Sequence, residues 1–357
     1  MRSLRPFGRR APCGAGLSMT AGGAEMILSV DVGYGYVKAV SPTGHRVSWP
    51  TTIRRRPAAA GYAALGEADG HRVRVLRPGE TAQVEYQVGE AGRRAWAADA
   101  ADRAGYDVQV LAAARLLGGG DVDLLLGLPL ALWTQPPQRK ALRGALEGLD
   151  ARVGVDRDPD VGVAIRSVRV LPQGAGAFQW ALRQDHTLAH RPVGVIDVGY
   201  RTTDYLVMRR GDAGLVPDES ACGSADVGAG QVYERVRAAL TDEFGVLIPE
   251  GAVEDAIAHY AGRMFLQGRE VDATARVRDA MGVLAAEVTE EIRRAWGDRL
   301  PLLGAVLLSG GGGDAVAPFL RDLHPLIRPM PDAMWANALG FLAMVGTAPL
   351  ALVAQPL

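Results

Sequence analysis

Cysteine is scarce in this 357-residue chain: Cys13 and Cys222 are its two copies. Two thiols cannot build a disulfide framework, so the fold must rest on its apolar core, and the composition suits a reducing compartment such as the cytoplasm. Excess charge is also missing. A net charge of −1 gives the folded body no electrostatic reason to grip nucleic acid, and any DNA contact is expected to run through an adaptor protein. No apolar run reaches the roughly 20 residues a membrane span needs. Residues 338 to 354 come nearest, but Gly340, Gly346, Thr347 and Pro349 interrupt them, and they read as a buried terminal helix. Heptad repeats and low-complexity arrays are absent. Residues 1 to 25 lack the hydrophobic stretch of a signal peptide. With Arg2, Arg5, Arg9 and Arg10 set among Gly, Ala and Pro, they read as a disordered extension, with Met19 and Met26 as alternative translation starts.

What the chain does have is a repeated tetrapeptide. Asp-Val-Gly-Tyr occurs at Asp31–Tyr34 and again at Asp197–Tyr200, each time after a short apolar strand and before another extended segment. A lone Asp-x-Gly is a common turn. Two copies in matching strand–turn–strand contexts point instead to two related half-molecules. Each strand delivers a carboxylate to its end, and the glycine lets backbone N–H groups approach a ligand closely. Two such hairpins facing across a cleft fit a polyphosphate, with Asp31 and Asp197 orienting a hydrated Mg²⁺. With 48% hydrophobic residues and 22% charged, the chain is long enough for two domains around sizeable cores.

The remaining elements alternate as in mixed α/β layers. Residues 47 to 90 are rich in Val, Tyr, Thr and Gly without helical spacing and predict a β-rich insertion, extending to about 97. Residues 93 to 117 predict a helix, 123 to 129 a buried strand, 138 to 149 a short helix, and 163 to 171 a strand leading into a helix that runs to about 189. Helices follow over 227–244, 249–260 and 272–296, within a helical insertion spanning about 220–300. The chain then reads strand 305–308, glycine turn 309–313, helix 314–323 and helix 332–346.

Taken together, these residues resemble the actin-like ATPase superfamily, and within it the ParM/StbA-type plasmid-segregation proteins. Asp31-x-Gly33-x-Gly35-x-x-Lys38 resembles the first phosphate motif, and Asp197-x-Gly199 through Thr202, Thr203 and Asp204 the second. Pro172-Gln173-Gly174-Ala-Gly176 resembles the first connecting helix, Leu308 to Gly313 the adenosine motif, and the Pro331 to Gly340 stretch with Asn337 the second connecting helix. Gly127-Leu128-Pro129 and Gly268 to Asp272 add weaker likeness. The resemblance implies a duplicated, ribonuclease H-like two-domain fold with a nucleotide cleft: domain I over 26–170, domain II over 171–347, the last helix packing back on domain I, and a short tail over 348–357. It implies ATP and Mg²⁺ as ligands. Asp31 and Asp197 would hold the metal through water, and Gly33, Tyr34, Gly35, Lys38, Gly199, Thr202, Thr203, Gly228, Ser309, Gly310, Gly311 and Gly312 would bind the nucleotide.

Gln173 departs from the bacterial pattern, which places a glutamate after this proline. An amide is a poor general base, but it can orient water for in-line attack on the γ-phosphate, because phosphoryl transfer depends chiefly on positioning and electrostatics. With Gln173, Asp197 and Asp31 as the catalytic set, the resemblance implies a slow ATPase that polymerises head to tail and segregates plasmid or other DNA. Three other readings stay open: a small-molecule kinase, a reactivase, or a non-hydrolysing scaffold. The kinase needs a further carboxylate beside an acceptor hydroxyl, and none is evident in the 127–135 or 170–178 segments.

Overall fold

The computed structural model describes residues 26–56, 70–90, 105–212 and 214–345. The expected N-terminal extension, the C-terminal tail, residues 57–69 and 91–97 of the β-rich insertion, and the first part of the helix expected over 93–117 lie outside them.

The first half runs β1 (Met26–Val32), β2 (Tyr36–Val40), β3 (Arg46–Pro50), β4 (Ile53–Arg55), β5 (His71–Leu76), β6 (Val84–Val88), α1 (Tyr106–Leu116), β7 (Gly120–Leu128), α2 (Leu130–Trp133), α3 (Pro136–Leu146), β8 (Asp150–Val155) and β9 (Val161–Pro172). Among the described residues its strands form one nine-stranded sheet, ordered β3-β2-β1-β7-β9-β8-β5-β6-β4. β1, β7 and β9 are parallel, and their buried runs of Val, Leu and Ile suit strands covered on both faces. The described residues of the expected β-rich insertion form strands that continue this sheet, because β5 pairs antiparallel with β8.

The second half runs α4 (Ala175–Gln184), β10 (Val193–Val198), β11 (Thr203–Gly211), β12 (Gly214–Pro217), β13 (Gly223–Ala225), α5 (Ala229–Phe244), α6 (Ala252–His259), β14 (Arg263–Leu266), β15 (Arg269–Asp272), α7 (Thr274–Trp296), β16 (Ala305–Ser309), α8 (Gly313–Val316), β17 (Ile327–Pro329) and α9 (Ala336–Val345). Its main sheet places β10 between β11 and β16, parallel to β16. α5 closes on Gly245, whose φ of 64° is the left-handed conformation that ends helices. α7 buries Val277, Met281, Leu284, Val288 and Ile292, a stripe at three- to four-residue spacing, against this second core. The helix expected over 314–323 is broken: α8 has four residues and gives way to a 3-10 turn at Ala317–Phe319, where Pro318 has no N–H to continue it.

A third core joins the halves. β9 ends at Pro172 and α4 begins at Ala175, so the chain passes directly from the first sheet to the helix that α9 crosses. At that crossing the backbones nearly touch, since a Cβ on Gly340 would stand 1.7 Å from the Gly176 carbonyl oxygen. Phe178, Phe341, Leu125 and Leu307 share this core. α9 also packs on β1 and β7.

Candidate functional site

Each Asp-Val-Gly-Tyr segment is a strand end followed by a tight hairpin. Asp31 lies near the end of β1 and pairs across to Lys38 on β2, while Asp197 lies near the end of β10 and pairs across to Asp204 on β11. The Gly33 amide donates to the Tyr36 carbonyl at 3.1 Å, and the Gly199 amide to the Thr202 carbonyl at 2.9 Å, so these two N–H groups close their own turns. The turns meet. A Cβ on Gly35 would stand 2.6 Å from the Tyr200 Cβ, and the Arg201 guanidinium lies over the Tyr34 ring at 5.1 Å.

A continuous polar path links the two aspartates. Lys38 Nζ donates to Asp31 Oδ2 at 3.0 Å, and Gln173 Nε2 donates to Asp31 Oδ1 at 2.6 Å. The next residue, Gly174, donates its amide to Asn337 Oδ1 at 2.8 Å, and the Ala177 amide does so at 3.1 Å. Asn337 Nδ2 then donates to Asp197 Oδ2 at 2.5 Å. One side chain therefore satisfies amides at the start of α4, which every helix leaves without intrahelical partners, and orients the second aspartate. The sequence placed Asn337 in the stretch resembling the second connecting helix without assigning it a contact. Its signal was a lone amide in the otherwise apolar run Ala336–Val345.

The glycine turn after β16 completes the cluster. Ser309 pairs with Asp197 in register, and the Gly310 and Gly312 amides donate to Ala333 and Val198 carbonyls. Gly310 has a φ of 83°, and a Cβ there would stand 2.4 Å from Asp197 Oδ1; the Cβ position of Gly311 faces open space. Gly228 packs its backbone on Tyr200 and Arg201. Thr203 donates its hydroxyl to the Val227 carbonyl at 2.7 Å, a bond that ties the second turn to the start of α5. Asp31, Lys38, Gln173, Asn337, Asp197, Ser309 and Gly310 are thus brought together by these contacts, whereas Gly268 to Asp272 lie apart in the β14–β15 hairpin.

The electrostatics of this cluster are unbalanced. Asp31, Asp197 and Asp204 are each at most 6% exposed, and Lys38 supplies a cation to Asp31 alone among them. Burial pushes the Asp197 carboxyl above its ordinary range; the Asn337 amide and the Lys38 charge oppose the shift and the Asp31 charge adds to it. Burial also pushes Asp204 up, to about 7, against hydrogen bonds from Ser224 and the Leu130 amide and with further upward pressure from Asp197 and Asp31. Surplus buried negative charge of this kind is the environment a cation relieves. Among the described residues, no three of His, Cys, Asp or Glu converge to hold a metal by themselves. That donor set fits a hydrated ion held from two sides, not a fully ligated one.

Comparisons with known proteins bear on the family and the fold. Residues 29–176 match the family model described as the N-terminal domain of actin-like proteins, and residues 195–322 match the C-terminal model of the archaeal MreB-like actin homologue. The chain is an actin-like protein. Archaeal actin homologs of Thermoplasma acidophilum and Thermoplasma volcanium are each 25% identical to it over 329 residues, covering 88% of this chain and 97% of theirs. In three dimensions this actin-like chain overlays the subunit of a 15-stranded ParM filament from Clostridium botulinum with a TM-score of 0.78 at 22% identity, covering 89% of this chain and 98% of that one. It overlays an archaeal actin homolog in complex with ADP with a TM-score of 0.71 at 20% identity, covering 90% and 99%. The two-domain actin-like α/β fold expected from sequence is the fold observed. No helix among the described residues is long and apolar enough to cross a membrane.

Proposed function

We propose that this actin-like protein binds Mg-ATP between its two halves, hydrolyses it slowly and assembles head to tail into filaments, in the service of DNA segregation through an adaptor. The observation that carries the reading is the path from Asp31 through Gln173, Gly174 and Asn337 to Asp197, which makes one site of residues from both hairpins and both connecting helices. The ADP complex of one structural neighbour and the filament of another support nucleotide binding and self-association respectively. The segregation role and the adaptor rest on the ParM likeness.

In this reading Asp31 and Asp197 hold the water shell of Mg²⁺, and Lys38 offsets part of their charge. When bound, the ion supplies charge neutralisation at the phosphate oxygens. Gln173 is already fixed by its bond to Asp31, so its amide is pre-placed to orient water without itself taking a proton. In the glycine turn Ser309 to Gly312, the partly exposed Gly311 would face the nucleoside. The kinase alternative now has a third carboxylate beside the 127–135 segment, Asp204. That group is 2% exposed, and its hydrogen bonds run to Ser224 and the Leu130 amide.

The test combines light scattering, phosphate release and thermal shift on purified protein with Mg-ATP, a slowly hydrolysed analogue, or ADP. Polymers that form with ATP and disperse as ADP accumulates are expected, and Asp197→Ala should lose the Mg-dependent thermal stabilisation that wild type gains. Equal stabilisation of both proteins defeats the site. Absence of polymers under all three conditions defeats the filament.

A further inference from the structure

Glu254 lies on α6, outside both hairpins, yet it is only 6% exposed and has no part in the phosphate chemistry above. Its carboxylate accepts from Tyr36 Oη at 2.9 Å and from Tyr200 Oη at 3.3 Å. Tyr36 belongs to the first half and closes its turn. Tyr200 belongs to the second half, with α6. The Tyr200 ring reaches Glu254 by passing between two glycines: a Cβ on Gly35 would stand 2.6 Å from its Cβ, and one on Gly230 would stand 2.4 Å from its Cε1. A buried carboxylate is tolerated where donors offset its lost hydration. Here a phenol from each half does so.

We infer that Glu254 is a positioning residue that straps the first turn to the second half, holds the cleft closed and sets how fast a bound nucleotide escapes. Parting the halves must separate Tyr36 from Glu254, while the Tyr200 bond keeps the carboxylate aimed at the cleft. The strap also ties the turns to α6, and α6 packs on α5 and on the β14–β15 hairpin, so a shift of either turn is felt in the helical insertion. The inference rests on the nucleotide reading only for the identity of what escapes.

The experiment uses full-length protein and the variants Tyr36→Phe, Glu254→Gln and their double. Phenylalanine preserves the ring and its packing, so the fold should survive. Two quantities are read: amide hydrogen exchange of ligand-free protein over residues 33–36 and 199–203, and release of a fluorescent ADP analogue chased with excess ATP. Loss of a hydrogen bond to a charged group should raise both rates about tenfold in Tyr36→Phe, with the thermal midpoint little changed. Adding Glu254→Gln should add little, because the Tyr36 bond that the neutral amide would weaken is already absent in Tyr36→Phe. Unchanged exchange in Tyr36→Phe, or fully additive effects in the double variant, overturns the strap. Faster exchange with wild-type release overturns its control of nucleotide escape. A wild-type protein that binds no nucleotide defeats the nucleotide reading instead, and the exchange measurement then still decides the strap.

Discussion

The two hairpins share a tetrapeptide but not a charge. Opposite Asp31 in register stands Lys38, and opposite Asp197 stands Asp204. The first hairpin therefore neutralises its own carboxylate at 3.0 Å, while the second stacks two carboxylates in a buried setting that pushes both above their ordinary range. Duplication explains the common strand–turn–strand frame, and the difference at one cross-strand position divides the labour. One half brings an internally balanced carboxylate to the cleft, and the other brings a deficit of positive charge for a ligand to fill.

The largest expected loss of stability comes from removing the balance in the first hairpin. The Lys38 side chain is only 12% exposed, so Lys38→Met leaves Asp31 charged, buried and short of a partner. Breaking a buried pair from one side costs about 3 kcal/mol, which should appear as a clear fall in the urea midpoint measured in EDTA. Lys38→Met combined with Asp31→Asn should recover most of that loss while leaving the protein unable to hold Mg-nucleotide. A single Lys38→Met variant as stable as wild type would mean that Gln173 and solvent already satisfy Asp31, and the contrast between the hairpins would weaken.

A pH-dependent effect of opposite sign is expected in the second hairpin. The folded Asp204 carboxyl titrates near 7, well above an unfolded aspartate, so the folded chain binds the extra proton between about pH 4 and pH 7. Stability from this group is therefore present at low pH and is lost as pH rises through that window. Asp204→Asn keeps hydrogen-bonding capacity toward Ser224 and Leu130 without the charge. In EDTA its thermal midpoint should match wild type at or below about pH 4 and exceed it at pH 8, by an amount corresponding to roughly 4 kcal/mol. Excess Mg-ATP should shrink or reverse the difference, because the ligand supplies the missing positive charge to wild type alone. A pH-independent difference would assign the effect to packing.

How much of this was legible beforehand follows from the range of each interaction. The strand ends carrying Asp31 and Asp197, the glycine turn after β16 and the long α7 were readable because buried strands, tight turns and amphipathic stripes write themselves into neighbouring residues. Lys38 was readable as a site residue for the same reason, seven positions from its aspartate. Its structural role as the neutralising partner of Asp31 appears only once the register of β1 and β2 is known. Glu254 left no trace at all. Its partners lie 218 and 54 residues away, and on α6 it passes for one more acidic residue in a helical first turn. The continuation of the first sheet through β8 and β5 was missed for a related reason: local composition signals a strand but does not say which strand it joins.

The smallest expected effect on stability tests what flanks the second hairpin. Ser309 to Gly313 adjoins Asp197, and its glycines are not equivalent. Gly310 is required by its φ of 83° and by the Asp197 oxygen that a Cβ would meet at 2.4 Å, and a Cβ on Gly312 would stand 2.7 Å from Val198 Cγ1. A Cβ on Gly311 would meet nothing within 4 Å. Gly311→Ala should thus change unfolding stability by no more than about 0.5 kcal/mol, the ordinary range for a surface substitution. If this turn is the surface offered to the nucleoside, the added methyl projects into the ligand's space. Nucleotide affinity, measured by displacement of a fluorescent analogue, should then fall several-fold while the thermal midpoint of ligand-free protein stays put. Affinity unchanged together with stability would place the nucleoside elsewhere, and the second hairpin would be left with its two carboxylates as its contribution to the site.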